Sequence, residues 1–230
     1  MFKFKQFTIQ QDKCAMKVGT DGVLLGAWAN CKKASSVLDI GTGTGLIALM
    51  IAQRNTTCQI TAIDINEEAI TQAQENVDNS PWNDRITLIH SDFKTIKDQK
   101  KYDLIVSNPP FFENSLICED NKRTLARHTT EFSYDDFFAF AEKHLNKEGI
   151  LSMVIPTEIF ANCLILAQKY DFLLIRRTNV LPTPDKPTKR LLLEFSQDYQ
   201  PSVQSDLIIE TARHQYTEDF KALTKEFYLD

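Results

Sequence analysis

Short apolar runs alternate along most of this chain with longer stretches of roughly ten residues that have helical character. The apolar runs predict strands at residues 36–40, 59–64, 85–90, 102–107 and 149–155. The stretches between them predict helices at residues 46–54, 67–77, 134–145 and 158–168. Strands that alternate with helices form βαβ units, so we expect an α/β fold with a doubly wound, mainly parallel sheet.

Both ends of the chain depart from this rhythm. The apolar residues among the first nine alternate with polar ones, which predicts short half-buried strands and a hairpin lid. Strands are also predicted at 172–180 and 190–195, joined by a proline-rich connection. Because that connection is too short for a crossover helix, we expect these two strands to form an antiparallel hairpin at one edge of the sheet. A last helix is expected near 217–227.

Composition fits one globular domain. The 230 residues are 43% hydrophobic and 25% charged, which excludes a disordered chain and a coiled coil. We expect a single domain over 1–230, with an N-terminal extension or lid at 1–34 and the main core at 35–230. No apolar run approaches the roughly 20 residues of a membrane span, and the first residues lack the apolar stretch of a signal peptide. We therefore expect a cytoplasmic protein without a membrane partner.

Cysteine usage and charge narrow the possible ligands. The five cysteines are widely spaced and form no Cys-x-x-Cys motif, so we expect neither a disulfide framework nor a metal site. A net charge of −5 argues weakly against a nucleic-acid partner. Basic residues nevertheless concentrate in segments 1–20 and 169–190, which leaves room for a polyanion.

A glycine-rich turn is the first candidate for ligand binding. Gly41, Gly43 and Gly45 follow the first core strand and open the next helix. A turn without Cβ atoms lets a ligand approach the backbone, and ligands of open parallel sheets bind at this edge. Asp64 ends the second strand, where a carboxylate lies beside the ribose of a bound nucleoside. Asp92 follows the third strand, within reach of an adenine amino group.

The turn departs from the dinucleotide fingerprint, because Leu46 stands where its third glycine would fall. The run VLDIGTGTG at 37–45 resembles the first motif of class I methyltransferases that use S-adenosylmethionine. The resemblance implies a Rossmann-like class I methyltransferase fold, S-adenosylmethionine as cofactor, S-adenosylhomocysteine as product, and no metal. The cofactor contacts that it implies are Asp39, Gly41, Thr42, Gly43, Gly45, Asp64, Ile65, Asp92, Phe93 and Asn108.

A second motif, Asn-Pro-Pro-Phe, directly follows the fourth core strand. Two prolines fix φ and remove two donors, so the carbonyl groups of this turn point in fixed directions. The side-chain oxygen of Asn108 and the carbonyl of Pro109 then accept both hydrogens of a planar amino group, which localises the lone pair of its nitrogen. Phe111 offers a flat face for stacking. We therefore predict catalysis by positioning and electrostatics, with Asn108, Pro109, Pro110 and Phe111 as the catalytic residues.

This motif resembles the Asn/Asp-Pro-Pro-aromatic motif of amino-group methyltransferases. That class includes enzymes that methylate adenine N6 in DNA or RNA and enzymes that methylate a glutamine of translation release factors, and the motif alone leaves both open. A wider likeness is to the bacterial tRNA1(Val) adenine-N6-methyltransferases, whose target is adenosine 37. It covers residues 12–28, 73–82, 107–112, 125–130 and 222–229. The chain departs from that family at Phe111, Phe112 and His128, where tyrosine is expected.

The wider resemblance implies a tRNA partner and no obligate protein partner. A target base in structured RNA must be unstacked before it reacts, and local basic residues must contact the phosphates despite the acidic total. The expected substrate contacts are Lys17, Phe112, Arg123, Arg127, His128, Lys186 and Arg190.

Three alternatives stay open at this point. A release-factor glutamine methyltransferase would use the same chemistry, although the N-terminal helical domain that such enzymes carry is not evident in the sequence. A nicotinamide-dependent oxidoreductase would leave the Asn-Pro-Pro-Phe motif unexplained. An RNA-binding module without turnover would have little use for two intact motifs.

Overall fold

The computed structural model describes residues 1–14, 17–97, 99–110 and 132–229. Its strands, numbered in chain order, are β1 (Phe2–Lys3), β2 (Thr8–Ile9), β3 (Ser36–Ile40), β4 (Gln59–Asp64), β5 (Ile86–His90), β6 (Tyr102–Ser107), β7 (Leu145–Pro156), β8 (Leu173–Leu181), β9 (Arg190–Ser196), β10 (Val203–Ile208), β11 (Glu210–Ala212) and β12 (Gln215–Tyr216). Its helices are α1 (Thr20–Trp28), α2 (Leu46–Arg54), α3 (Glu67–Asp78), α4 (Tyr134–His144), α5 (Phe160–Lys169) and α6 (Glu218–Thr224).

The central sheet has eight strands in the order β10-β8-β9-β7-β6-β3-β4-β5. Strands β5, β4, β3, β6 and β7 run parallel to one another. The chain moves from β3 outward to β5 and then returns to the other side of β3 with β6, so the order reverses at β3. This is the doubly wound arrangement that the sequence predicts, and ligands bind at such a reversal.

The predicted C-terminal hairpin is confirmed, but its place in the sheet differs from the prediction. Strands β8 and β9 pair antiparallel, and β9 also pairs antiparallel with β7. Strand β10 then pairs parallel with β8 and forms the edge of the sheet, so the expectation that the hairpin itself is the edge is wrong. The sequence does not predict β10 because its first four residues are all exposed and it lacks an apolar alternation.

Each face of the sheet carries its own apolar core. Leu104 and Val106 of β6 face the core shared with α1, α2, α3 and α6, whereas Ile105 between them faces the core shared with α4 and α5. This alternation follows from the two-residue period of a strand. The inner strands β3, β4 and β6 are therefore buried on both sides, which is why they are mostly apolar, whereas β5 at the edge is largely exposed.

The N-terminal hairpin is part of the first core. Strands β1 and β2 pair antiparallel, as expected. Phe4 and Phe7 are buried, and their rings stack with centroids 4.6 Å apart. Phe4 also stacks on Tyr228 near the end of the chain, at 6.0 Å. Within the described ranges, no helix is long and apolar enough to cross a membrane.

Candidate active site

A cavity of about 260 Å³ lies at the carboxyl ends of β3, β4, β5 and β6. Seven of the ten predicted cofactor residues line this cavity, namely Gly41, Gly43, Asp64, Ile65, Asp92, Phe93 and Asn108. The other three are Asp39, Thr42 and Gly45, which lie behind the wall. Both predicted motifs therefore border one cavity, although more than 60 residues separate Gly43 from Asn108 in the sequence.

The glycine turn borders open space. Gly41, Gly43 and Gly45 have φ angles of 71°, 56° and 81°, a region that side-chain-bearing residues rarely adopt. A Cβ atom at Gly41 or Gly43 would meet no atom within 4 Å, whereas one at Gly45 would lie 3.4 Å from Cβ of Ala73 in α3. The first two glycines thus leave room for a ligand, and the third lets α3 approach the turn.

The backbone donors of this turn are already used within the protein. The N–H groups of Gly41 and Thr42 both donate to the carbonyl of Ile63, at 2.9 and 3.0 Å. The N–H of Gly43 donates to Oδ2 of Asp64 at 2.8 Å, and that of Gly45 donates to the carbonyl of Thr42 at 2.9 Å. A dinucleotide site offers such donors to a pyrophosphate, so this turn suits a ligand without phosphate.

The carboxylate of Asp64 faces the cavity, fixed by two hydrogen bonds but able to accept more. Its Oδ2 accepts from Gly43 N–H and its Oδ1 accepts from Asn66 N–H at 2.9 Å. Each carboxylate oxygen can accept a second hydrogen bond, so two acceptors remain, a match for the two hydroxyls of a ribose. Asn66 itself caps α3 by accepting from Ala69 N–H.

Asp39 supports the turn from behind and is fully buried. Its Oδ2 accepts a hydrogen bond from the hydroxyl of Thr42 at 2.7 Å, while no described residue donates to Oδ1. Burial raises the pKa of Asp39 to about 7, because the interior disfavours its charged form. Thr42 is buried as well, so these two residues shape the turn rather than line the cavity.

The far wall of the cavity combines one acid with apolar surface. Asp92 accepts from Lys94 N–H at 2.9 Å through Oδ1, which leaves Oδ2 3.6 Å from the ammonium of Lys94. Phe93 is buried against Phe132, with ring centroids 5.7 Å apart. Ile65 is 56% exposed, a large fraction for an apolar side chain beside a cavity. This wall fits a flat, largely apolar ring with a polar edge.

Asn108 carries an acceptor that the protein leaves unused. Its Oδ1 is shielded from solvent and accepts no hydrogen bond from the described residues. Buried polar atoms almost always have partners, so an orphan on a cavity wall indicates a ligand or substrate donor. Pro109 is buried behind it and Pro110 lines the cavity. Ser107 anchors the motif, since its hydroxyl donates to the carbonyl of Ile40 at 2.8 Å.

Helix α1, which the sequence does not predict, borders this motif. A Cβ at Gly22 would lie 3.8 Å from Nδ2 of Asn108, so the first turn of α1 packs against the catalytic candidate. Asp21, the preceding residue, accepts a hydrogen bond from Nε of Arg190 at 2.9 Å. Because Arg190 begins β9 at this edge of the sheet, the ion pair connects the β8–β9 hairpin to the same helix turn.

The predicted RNA contacts divide into three groups. Lys17 and Lys186 are exposed, and Lys186 lies in the loop between β8 and β9 at the carboxyl edge of the sheet. Arg190 is at that edge but is paired with Asp21. The other four predicted contacts, Phe112, Arg123, Arg127 and His128, lie outside the described part of the chain, as does the predicted catalytic residue Phe111.

The structure also adds residues that the sequence analysis missed. Cys14, Asn66, Lys94 and Phe132 line the cavity. Asn66 had a usable signal, because an asparagine followed by two glutamates marks a helix N-terminus. Cys14 had no such sequence signal, because only the tertiary fold brings the N-terminal segment to this wall. Among the described residues, no group of three or more potential metal ligands is found.

Known proteins are similar to this chain in sequence and in fold. A family model described as the methyltransferase small domain matches residues 18–173. A solved structure of a "predicted O-methyltransferase" from Agrobacterium tumefaciens has a TM-score of 0.71 at 18% identity, covering 90% of this chain and 96% of that chain. The structural likeness supports the fold alone and confirms the expected class I methyltransferase architecture.

Sequence relatives are more specific. The tRNA1(Val) (adenine(37)-N6)-methyltransferase of Bacteroides thetaiotaomicron is 47% identical over 229 residues, which is 99% of this chain and 97% of that protein. The protein of the same name from Flavobacterium psychrophilum is 47% identical over 232 residues, covering 100% of this chain and 99% of that protein. Together with the glycine turn and the Asn-Pro-Pro motif on one cavity, these likenesses show that the chain belongs to the tRNA1(Val) (adenine(37)-N6)-methyltransferase family.

Proposed function

We propose that this chain transfers a methyl group from S-adenosylmethionine to N6 of adenosine 37 in tRNA1(Val). The observation that carries the proposal is the orphan Oδ1 of Asn108 on the wall of the cavity that Asp64 and the glycine turn share. An exocyclic amino group is the donor that such an acceptor lacks. The names of the relatives support this choice of amino group and RNA.

The polar and apolar residues that line the cavity support S-adenosylmethionine as the cofactor. We assign the ribose hydroxyls to Asp64, the adenine to Asp92, Ile65 and Phe93, and the methionine end to the open side of Gly41 and Gly43. The N–H groups of the turn already donate to acceptors within the protein, which favours this phosphate-free molecule over a dinucleotide. When bound, S-adenosylmethionine supplies an electrophilic methyl group on a positively charged sulfur.

The chain's own contribution is to hold the target nitrogen. Asn108 Oδ1 accepts one hydrogen of the amino group, and the carbonyl of Pro109 accepts the other, which pulls the nitrogen out of conjugation and directs its lone pair to the cavity. Phe111 stacks on the base. The nitrogen becomes strongly acidic only after it gains the methyl group, so its surplus proton then leaves to water. Positioning and electrostatics thus carry the catalysis.

The RNA is held outside the cavity. Lys17 and Lys186 are exposed and suited to phosphate contacts, and Arg190 would share its charge between Asp21 and the RNA. Residues Phe112, Arg123, Arg127 and His128 complete the proposed contacts. A tRNA substrate fits a single-domain cytoplasmic enzyme that acts without an obligate protein partner. Binding should weaken as the salt concentration rises, with a slope set by the number of phosphates that these cations contact.

The deciding experiment offers labelled S-adenosylmethionine to three acceptors in parallel: an unmodified tRNA-Val transcript, a release factor and duplex DNA. The proposal predicts label in the tRNA as N6-methyladenosine, and its loss when adenosine 37 is replaced by guanosine. Label only in the release factor or the DNA would retain the Asn108 chemistry and refute the substrate. Absence of label in all three, with bound cofactor, would refute the activity.

A further inference from the structure

Two amide side chains of α3 are buried although nothing in the proposed chemistry uses them. Gln72 is 0% exposed and Asn76 is 2% exposed. Burying a carboxamide is unfavourable unless all its hydrogen bonds are made, and an apolar residue would pack this face of α3 more simply. The partners of these two side chains therefore indicate what they do.

Asn76 joins the N-terminal segment to the glycine turn. Its Oδ1 accepts from Gln10 N–H at 2.7 Å, and its Nδ2 donates to the carbonyl of Gln10 at 2.9 Å. The same Nδ2 donates to the carbonyl of Thr44 at 2.9 Å. One side chain thus holds both backbone groups of Gln10 and a carbonyl of the turn that borders the cavity.

Gln72 holds the same segment one helical turn earlier. Its Oε1 accepts from Lys13 N–H at 3.0 Å, and its Nε2 donates to Oε2 of Glu75 at 3.0 Å. Glu75 in turn forms an ion pair with the ammonium of Lys13. Residues 10–13 are therefore fastened along α3 at both ends.

This fastened segment leads directly into the cavity wall. Cys14, the next residue, lines the cavity. On the far side, Val18 N–H donates to Oε1 of Gln11 at 2.8 Å, and α1 then begins and packs Gly22 near Asn108. Residues 10–14 thus run from α3 to the cavity, and the first turn of α1 lies beside the catalytic motif.

We propose that Gln72 and Asn76 are positioning residues that hold the N-terminal segment as a wall of the cofactor cavity and thereby set the affinity for S-adenosylmethionine. The proposal rests on the proposed function, because it takes S-adenosylmethionine as the ligand of this cavity. Neither side chain lines the cavity among the described residues, so both act through the segment. The hydrogen bonds of Gln72 and Asn76 thus form a clamp on residues 10–13. Loss of this clamp should weaken cofactor binding and leave the Asn108 chemistry intact.

Asn76→Asp is the sharpest variant, because it keeps the shape of the side chain and the acceptor for Gln10 N–H. The second oxygen of the carboxylate would then face the carbonyls of Gln10 and Thr44 without a proton to share. Gln74→Glu is the matched control, since it adds the same charge to the same helix at an exposed position, where it removes only a surface hydrogen bond to Asp78. Each lost buried hydrogen bond corresponds to roughly a tenfold change in an equilibrium constant.

Four quantities are measured on the full chain: the Kd for S-adenosylhomocysteine, the KM for S-adenosylmethionine, kcat at saturation, and the hydrogen exchange of the amides of Gln10 and Lys13. For Asn76→Asp we expect Kd and KM to rise about tenfold or more and exchange to accelerate, with kcat within about threefold. For Gln74→Glu all values should stay within about twofold of wild type.

A second variant guards against simple loss of folding. Gln11→Ala removes the hydrogen bond that Val18 N–H donates to this segment, without touching α3, and it should also raise the Kd with an unchanged Tm. Faster amide exchange with an unchanged Kd would overturn the proposal, as would equal losses in Gln74→Glu. If the wild-type chain itself binds no S-adenosylhomocysteine, the proposed function fails instead, and amide exchange still reports whether the clamp exists.

Discussion

Replacing Asn108 by alanine separates catalysis from stability in this protein. Most buried polar side chains stabilise the fold through hydrogen bonds, but Oδ1 of Asn108 has no partner among the described residues. An unsatisfied buried acceptor costs about 1–3 kcal/mol. Its removal therefore offsets the packing lost with the side chain, and we expect Asn108→Ala to change the free energy of unfolding by less than about 1 kcal/mol in either direction.

The rate should respond very differently. If Oδ1 holds a hydrogen of the target amino group in the transition state, its loss resembles the removal of one preorganised hydrogen-bonding group from an active site. Such removals lower kcat by about 10²- to 10³-fold. The Kd for S-adenosylhomocysteine should stay within about threefold, because Asp64 and the glycine turn are untouched.

The measurements are single-turnover methyl transfer to a tRNA-Val transcript, urea unfolding, and calorimetric binding of S-adenosylhomocysteine. Ser107→Ala is the control, because the hydroxyl of Ser107 does make a buried hydrogen bond, to the carbonyl of Ile40. That variant should lose about 1 kcal/mol of stability and little activity. The reasoning is refuted if Asn108→Ala loses more than about 2 kcal/mol of stability while it retains turnover.

Three further results are expected. The pKa of Asp39 is about 7 in the fold against 3.8 ordinarily, so between these pH values the unfolded chain binds fewer protons than the folded one. As the pH rises from 3.8 to 7, the free energy of unfolding should therefore fall by up to about 1.4 kcal/mol per pH unit, and Asp39→Asn should show a shallower slope. In Gly26→Ala, the new Cβ would lie 2.7 Å from Sδ of Met50, and overpacking should cost about 1–3 kcal/mol in urea unfolding. Arg190→Ala and Asp21→Ala should each lose about 1 kcal/mol, and the double variant should lose no more than either one.

Each of these results has a contrary outcome. An equal pH slope in wild type and Asp39→Asn would mean that other groups cause the slope. A stable Gly26→Ala would show that α1 and α2 separate at little cost. Additive losses in the Arg190 and Asp21 variants would mean that the two side chains stabilise the protein independently, despite their 2.9 Å contact.

The sequence alone determines the parallel core and the main features of the site. Strands β3, β4, β6 and most of β7 are buried on both faces, so they are apolar runs that local pattern detects. Asp64 and Asn108 end or follow strands, and the carboxyl ends of parallel strands meet at one edge of a sheet. Two motifs that are far apart in the chain could therefore be assigned to one cavity without coordinates.

Only the tertiary structure decides the elements whose partners are remote. Helix α1 is buried from Gly22 to Trp28, so no polar face marks it as a helix. Strand β10 is exposed along most of its length and exists through its pairing with β8. The clamp of Asn76 joins residues 66 apart, and a polar residue in a helix carries no sign of which backbone it will hold. Local sequence preferences determine the strands and turns, whereas contacts between distant segments complete the walls of the cavity.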